Sequence, residues 1–124
     1  MTSRRSLSLL VGFAILFAGC SQKSAVSYTS VSELGDALQA EDVACDPADA
    51  ENSSAELVKE QGACEIDGAQ LEIFLFDDAK QRDGWLEFGG RLRPATAFGP
   101  NWALIGATEV VATAADALGG ELKE

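Results

Sequence analysis

The chain contains no histidine, and that gap excludes more chemistry than any motif present admits. Without imidazole there is no ordinary Ser-His or Cys-His relay, and the usual ligands for structural zinc, blue copper or haem are missing. Cations are also scarce: nine Lys and Arg stand against twenty Asp and Glu, for a net charge of −11. A polyanion of this kind repels phosphate backbones, so nucleic acid is excluded as a partner. Nor is there a long apolar run. Leu7 to Ala18, interrupted by Ser8 and Gly12, falls short of the roughly 20 residues that a membrane-spanning helix needs.

What the first residues do contain is a leader. Arg4 and Arg5 form a positive n-region, Leu7 to Ala18 an apolar h-region, and Ala18-Gly19 supplies small residues before Cys20. Leu16-Phe17-Ala18-Gly19-Cys20 resembles a lipobox, the recognition site of signal peptidase II, with Phe17 where that class usually has Leu, Val or Ile. The resemblance implies that residues 1–19 are removed and that Cys20 becomes a lipidated N-terminus. The expected location is then the extracytoplasmic face of the cell membrane, with the lipid anchor as the membrane contact. The alternatives are an ordinary signal peptide with an incidental cysteine, or an uncleaved anchor. Ser3-Arg4-Arg5 leaves twin-arginine export open beside the general route, although Ser8 stands where an apolar residue is expected.

With Cys20 assigned to lipid, Cys45 and Cys64 remain as an even pair in an exported chain, and a disulfide between them is expected. Two separate buried thiols are the alternative. Loss of Arg4 and Arg5 with the leader leaves seven basic against twenty acidic residues. Residues 20–29 are small and polar without periodicity and are expected to form a tether, with residues 30–124 as a single α+β domain.

Ser30-Val31-Ser32-Glu33 is a capping-box pattern, and Val31, Leu34 and Leu38 recur at helical spacing, so a helix is expected over 31–40. Ser53 and Glu56 repeat the pattern before Leu57-Val58, for one or two helical turns. Cys64, Ile66, Ala69, Leu71, Ile73 and Leu75 alternate about Asp67-Gly68, which predicts a hairpin with Phe74 and Phe76 on its other face. Asp77 or Asp78 should cap a helix reaching about Phe88. Residues 91–98 lack a regular pattern; Gly99-Pro100-Asn101 marks a turn into a central strand, Trp102-Ala103-Leu104-Ile105. Thr108 should cap a last helix with the stripe Val111, Ala114, Ala115 and Leu118, ended by Gly119-Gly120 and followed by a charged tail. This order predicts a small three-stranded mixed sheet, a hairpin plus a parallel crossover strand, with helices on one face.

Few residues offer themselves for chemistry. Asp77-Asp78 and Asp83-Glu87 are the carboxylate pairs available for acid–base work, against which stand helix capping and a solvated helix face. Glu41, Asp42, Asp46, Asp49 and Glu51 offer oxygens to calcium but lack the glycine and alternation of an EF-hand, so neither a metal nor a cofactor is expected. Lys80, Arg82, Arg91 and Arg93 concentrate four of the seven positive charges of the mature chain, as a patch for an anionic ligand or an acidic partner surface, or as local ion pairs such as Asp78 with Arg82. Trp85 and Trp102 lie in apolar segments and are expected in the core.

Phe76-Asp77-Asp78-Ala79-Lys80-Gln81-Arg82-Asp83-Gly84-Trp85-Leu86, with Gly99-Pro100-Asn101-Trp102-Ala103-Leu104, resembles small actinobacterial lipoproteins of uncharacterised activity over about residues 31–120. That resemblance implies address and fold and carries no activity. The expectation is therefore a membrane-anchored, non-catalytic binding or accessory module for an envelope protein or small ligand. The alternative is an envelope enzyme that works through carboxylates and a divalent metal.

Overall fold

The structure, a computed structural model, describes residues 24–46, 51–52, 57–88 and 95–123. The leader, the lipobox and Arg91 and Arg93 lie outside the described residues. In chain order the elements are α1 (Val31–Ala40), β1 (Glu51–Asn52), β2 (Glu60–Ile66), β3 (Ala69–Leu75), α2 (Ala79–Phe88), β4 (Thr96–Gly99), β5 (Trp102–Gly106), α3 (Thr108–Leu118) and β6 (Glu121–Lys123).

The strands form one sheet in the order β1-β2-β3-β5-β4-β6, with every neighbouring pair antiparallel. This overturns the three-stranded mixed sheet and its parallel crossover pair. The cause is β4, in the stretch whose pattern looks irregular. Ala97 is buried and so are Ala95 and Thr96, so there is no in–out alternation for the sequence to display. Because Pro100-Asn101 joins β4 to β5 as a tight hairpin, with Gly99 opposite Trp102, β5 returns between β3 and β4 and runs against both. The crossover through α2 therefore joins β3 to β4, which run the same way but do not touch.

A second crossover has the same form: β5 leads through α3 to β6, with β4 lying between them. Both crossovers step across the sheet in the same sense, but they leave from strands of opposite direction. With one hand for both, their helices must fall on opposite faces. They do, which also overturns helices confined to one face. On one side α1 and α3 cover Ile66, Leu71, Ile73, Leu75, Trp102 and Leu104. On the other, Trp85 of α2 packs on Phe74 and Phe76, whose ring centroids lie 4.9 and 5.5 Å away, beside Val58, Ala103 and Ile105.

Local chemistry places the helices. Ser30 Oγ accepts from Glu33 N at 3.0 Å, and the Glu33 carboxylate accepts from Thr29 N at 2.7 Å, one residue further out than a capping box places it. Glu60 of β2 accepts from Val31 N, so a carboxylate also meets the positive end of α1. Asp78 caps α2 by accepting from Gln81 N at 2.9 Å. For α3 the expected Thr108 cap is replaced by Ala107, which has no side-chain cap bond, while Gly119 closes the helix in the left-handed region at φ 77°. The stripe Val111, Ala114, Ala115 and Leu118 is buried, as the spacing requires. At the hairpin tip Asp67 and Gly68 take φ of 53° and 84°, the turn that Asp-Gly favours. Leu57 lies in a turn and β2 begins at Glu60, so of the helical turns expected near residues 53–61 the described part is not helical.

Cys45 and Cys64 form a disulfide with Cα atoms 5.3 Å apart, fastening the loop after α1 to β2.

Candidate functional site

The concave feature with the most distinctive lining lies beside this disulfide. An open groove of about 700 Å³ is lined by Asp36 and Gln39 of α1, by Asp42, Ala44, Cys45 and Asp46 of the following loop, and by Glu65 of β2. The disulfide ties the loop to β2, and the bond from Gln39 Nε2 to Cys45 O, 2.8 Å, holds it against the helix that forms the other wall. Among the described residues four carboxylates and no cation line it, so the groove can accept hydrogen bonds and attract positive charge. Of the five acids weighed for calcium, Asp42 and Asp46 reach the groove, Glu41 is exposed outside it, Asp49 lies outside the described residues, and the Glu51 side chain is not described. Among the described residues no group of three or more His, Cys, Asp or Glu is arranged to hold a metal ion.

Of the four basic residues weighed as a patch, Lys80 and Arg82 are described, and Arg91 and Arg93 lie outside the described residues. Lys80 is exposed on α2. Arg82 is committed: its guanidinium donates to Gly99 O at 2.6 Å, pairs with Asp83 Oδ1 at 2.6 Å, and lies 5.0 Å from the centre of the Phe98 ring. With 15% of its side chain exposed, Arg82 works as a pin between α2 and the β4–β5 turn, and its partner is Asp83 where local pairing with Asp78 was expected. Asp83 is thereby engaged, Asp78 is the cap, and Asp77 and Glu87 are exposed. Each candidate carboxylate pair thus has at least one member with a structural task.

The residues whose role sequence reasoning missed are in Gly99-Pro100-Asn101-Trp102. Trp102 is fully buried and donates from Nε1 to Val26 O at 2.9 Å. Asn101 accepts from Tyr28 N at 3.0 Å and donates to Tyr28 O at 2.8 Å, so its amide mimics a strand neighbour. The Tyr28 ring, itself buried, sits 6.3 Å from the Trp102 ring. A Cβ at Gly99 would overlap Cε2 and Cζ2 of Trp102, and one at Gly120 would come within 2.5 Å of Cη2. Glycine at both positions is thus what makes room for the indole. The tether expected over 20–29 is therefore too long: from at least Val26 the chain is part of the body. Apart from the juxtaposition of Asn101 and Trp102 after a turn, no periodicity signals this, because the partners lie 73 and 76 residues apart.

Asn101→Ala removes two hydrogen bonds to the Tyr28 backbone, so a loss of about 1–3 kcal/mol is expected. Chemical denaturation gives its size. Hydrogen exchange at the Tyr28 amide should accelerate more than at the amides of β3, and equal acceleration at both would mean that the clamp is not local.

No protein-family model, no curated protein and no solved structure matches this chain. Among the described residues no helix is long and apolar enough to cross a membrane.

Proposed function

We propose that the chain is an exported lipoprotein, held to the extracytoplasmic face of the cell membrane by acyl chains on Cys20. Its body acts as a non-catalytic binding or accessory module for an envelope protein or small ligand. The observation that carries the reading is the leader ending in Ala18-Gly19-Cys20, followed by a body closed by its two remaining cysteines. The resemblance to small actinobacterial lipoproteins favours the same address. The groove of Asp36, Asp42, Asp46 and Glu65 favours a partner that presents positive charge, since an anionic surface selects by charge and speeds encounter.

Cys20→Ser tests the anchor. The variant is expected to leave the membrane fraction or to accumulate unprocessed, whereas the wild-type protein should show the mass of a cleaved, acylated chain. A serine variant that remains bound and fully processed would sink the reading. Crosslinking on intact cells tests the module: adducts that weaken when Asp42 and Asp46 are replaced by Asn support it, and recovery of uncrosslinked monomer alone counts against it.

A further inference from the structure

Residues between the lipobox cysteine and the fold determine how an anchored domain meets its membrane. Here Trp102 and Asn101 fix the chain at Val26 and Tyr28, and Ser24 and Ala25 lie beside Gly99, Pro100 and Gly119. Only Ser21, Gln22 and Lys23 separate Cys20 from Ser24. Four residue steps reach at most about 14 Å however they are arranged, at roughly 3.5 Å each.

We propose that the lipid-anchored domain stands on end, with the sheet end that carries the Pro100-Asn101 turn against the phospholipid headgroups and the acidic groove facing away from them. This rests on the anchoring of Cys20. The strand register gives the direction. Leu75 lies opposite Glu60 and Trp102 at the near end, and Ile66 opposite Ala69 at the far end. The helix α1 starts beside Glu60 and ends near Cys45, which is bonded to Cys64 two residues before the end of β2. The seven-residue strands thus put the hairpin tip about 20 Å beyond the near end and the Glu65 wall of the groove about 17 Å, at roughly 3.4 Å per residue.

One further observation favours that orientation over its inverse. Val26, 53% exposed, offers an apolar side chain at the near end.

Fluorescence quenching tests the orientation on the acylated protein purified from membranes. Asp77→Cys at the near end and Gln70→Cys at the far end are both exposed. Each adds a single free thiol, because Cys20 is acylated and Cys45 is bonded to Cys64. Each labelled variant is placed in vesicles of phosphatidylcholine and phosphatidylglycerol that carry nitroxide headgroups. The Asp77→Cys label should lose most of its emission while the Gln70→Cys label keeps most of its own. Equal losses, or a greater loss at Gln70→Cys, in protein that floats with the vesicles overturns the orientation. Protein that does not float overturns the anchoring beneath it. A Gly-Ser insertion of about 12 residues between Lys23 and Ser24, long enough for the body to turn, should abolish the contrast. A contrast that survives it shows that the short connection is not what orients the domain.

Discussion

Trp102→Ala is expected to destabilise the domain by about 3–5 kcal/mol, the range for emptying a buried aromatic site. For a body of this size, with total stability of about 5–15 kcal/mol, that is from about a fifth of the total to all of it. The indole is fully buried, Gly99 and Gly120 leave space that only a ring fills, and the Nε1 bond to Val26 O is lost at the same time. Urea denaturation gives the size of the change. Trp102→Phe separates its two parts, since most of the ring volume stays and the N–H goes. A loss of about 1 kcal/mol or somewhat more, with faster exchange confined to the segment before α1, would show that the N–H chiefly holds that segment down. A Trp102→Ala variant with an unchanged midpoint would mean that the ring is not the centre of this core.

Removing the Cys45–Cys64 crosslink should cost about 3 kcal/mol on the chain-entropy view, given a sequence separation of 19. Both cysteines replaced by alanine, and the wild type under reductant, should lose comparable stability. Agreement would locate the effect in the link, whereas a much larger loss in the alanine pair would point to packing of the buried sulfurs. The loop should respond first. Without the bond, the bond from Gln39 Nε2 to Cys45 O remains to hold the groove wall to α1, so protease sensitivity within residues 41–52 should rise before global unfolding begins. A groove that has lost this wall should also bind a cationic partner more weakly.

Periodicity made α1, the β2–β3 hairpin and α3 legible, since each shows a regular spacing or ends on a dipeptide with one strong backbone preference, as at Asp67-Gly68 and Gly119-Gly120. β5, buried on both faces, was legible as a short apolar run after the Gly99-Pro100-Asn101 turn. Three kinds of residue were not legible. Ala95, Thr96 and Ala97 are small, and β4 is covered on both faces, so it shows neither alternation nor strong β propensity. Glu121–Lys123 is exposed throughout and pairs with β4 through its backbone alone, which side-chain pattern does not report. Val26 and Tyr28 join the body through Asn101 and Trp102, partners too distant in the chain for local reading. The missing β4 also produced the wrong sheet: a strand inserted beside β5 converts the parallel neighbour into an antiparallel one. At the candidate site the acids of the loop were visible as composition. Their convergence with Asp36 and Glu65 was not, because it depends on where the disulfide and the end of α1 bring the loop.

The interleaving of β3, β5, β4 and β6 bears on the order in which the chain acquires its form. The segment before α1 waits for Asn101 and Trp102, and β4 waits for β6 as its outer neighbour. Such non-local pairing slows folding and leaves the stretch around Val26 without these contacts until β5 is in place. Truncations that remove β6 should therefore yield a poorly folded product susceptible to proteases, with damage extending as far back as Tyr28.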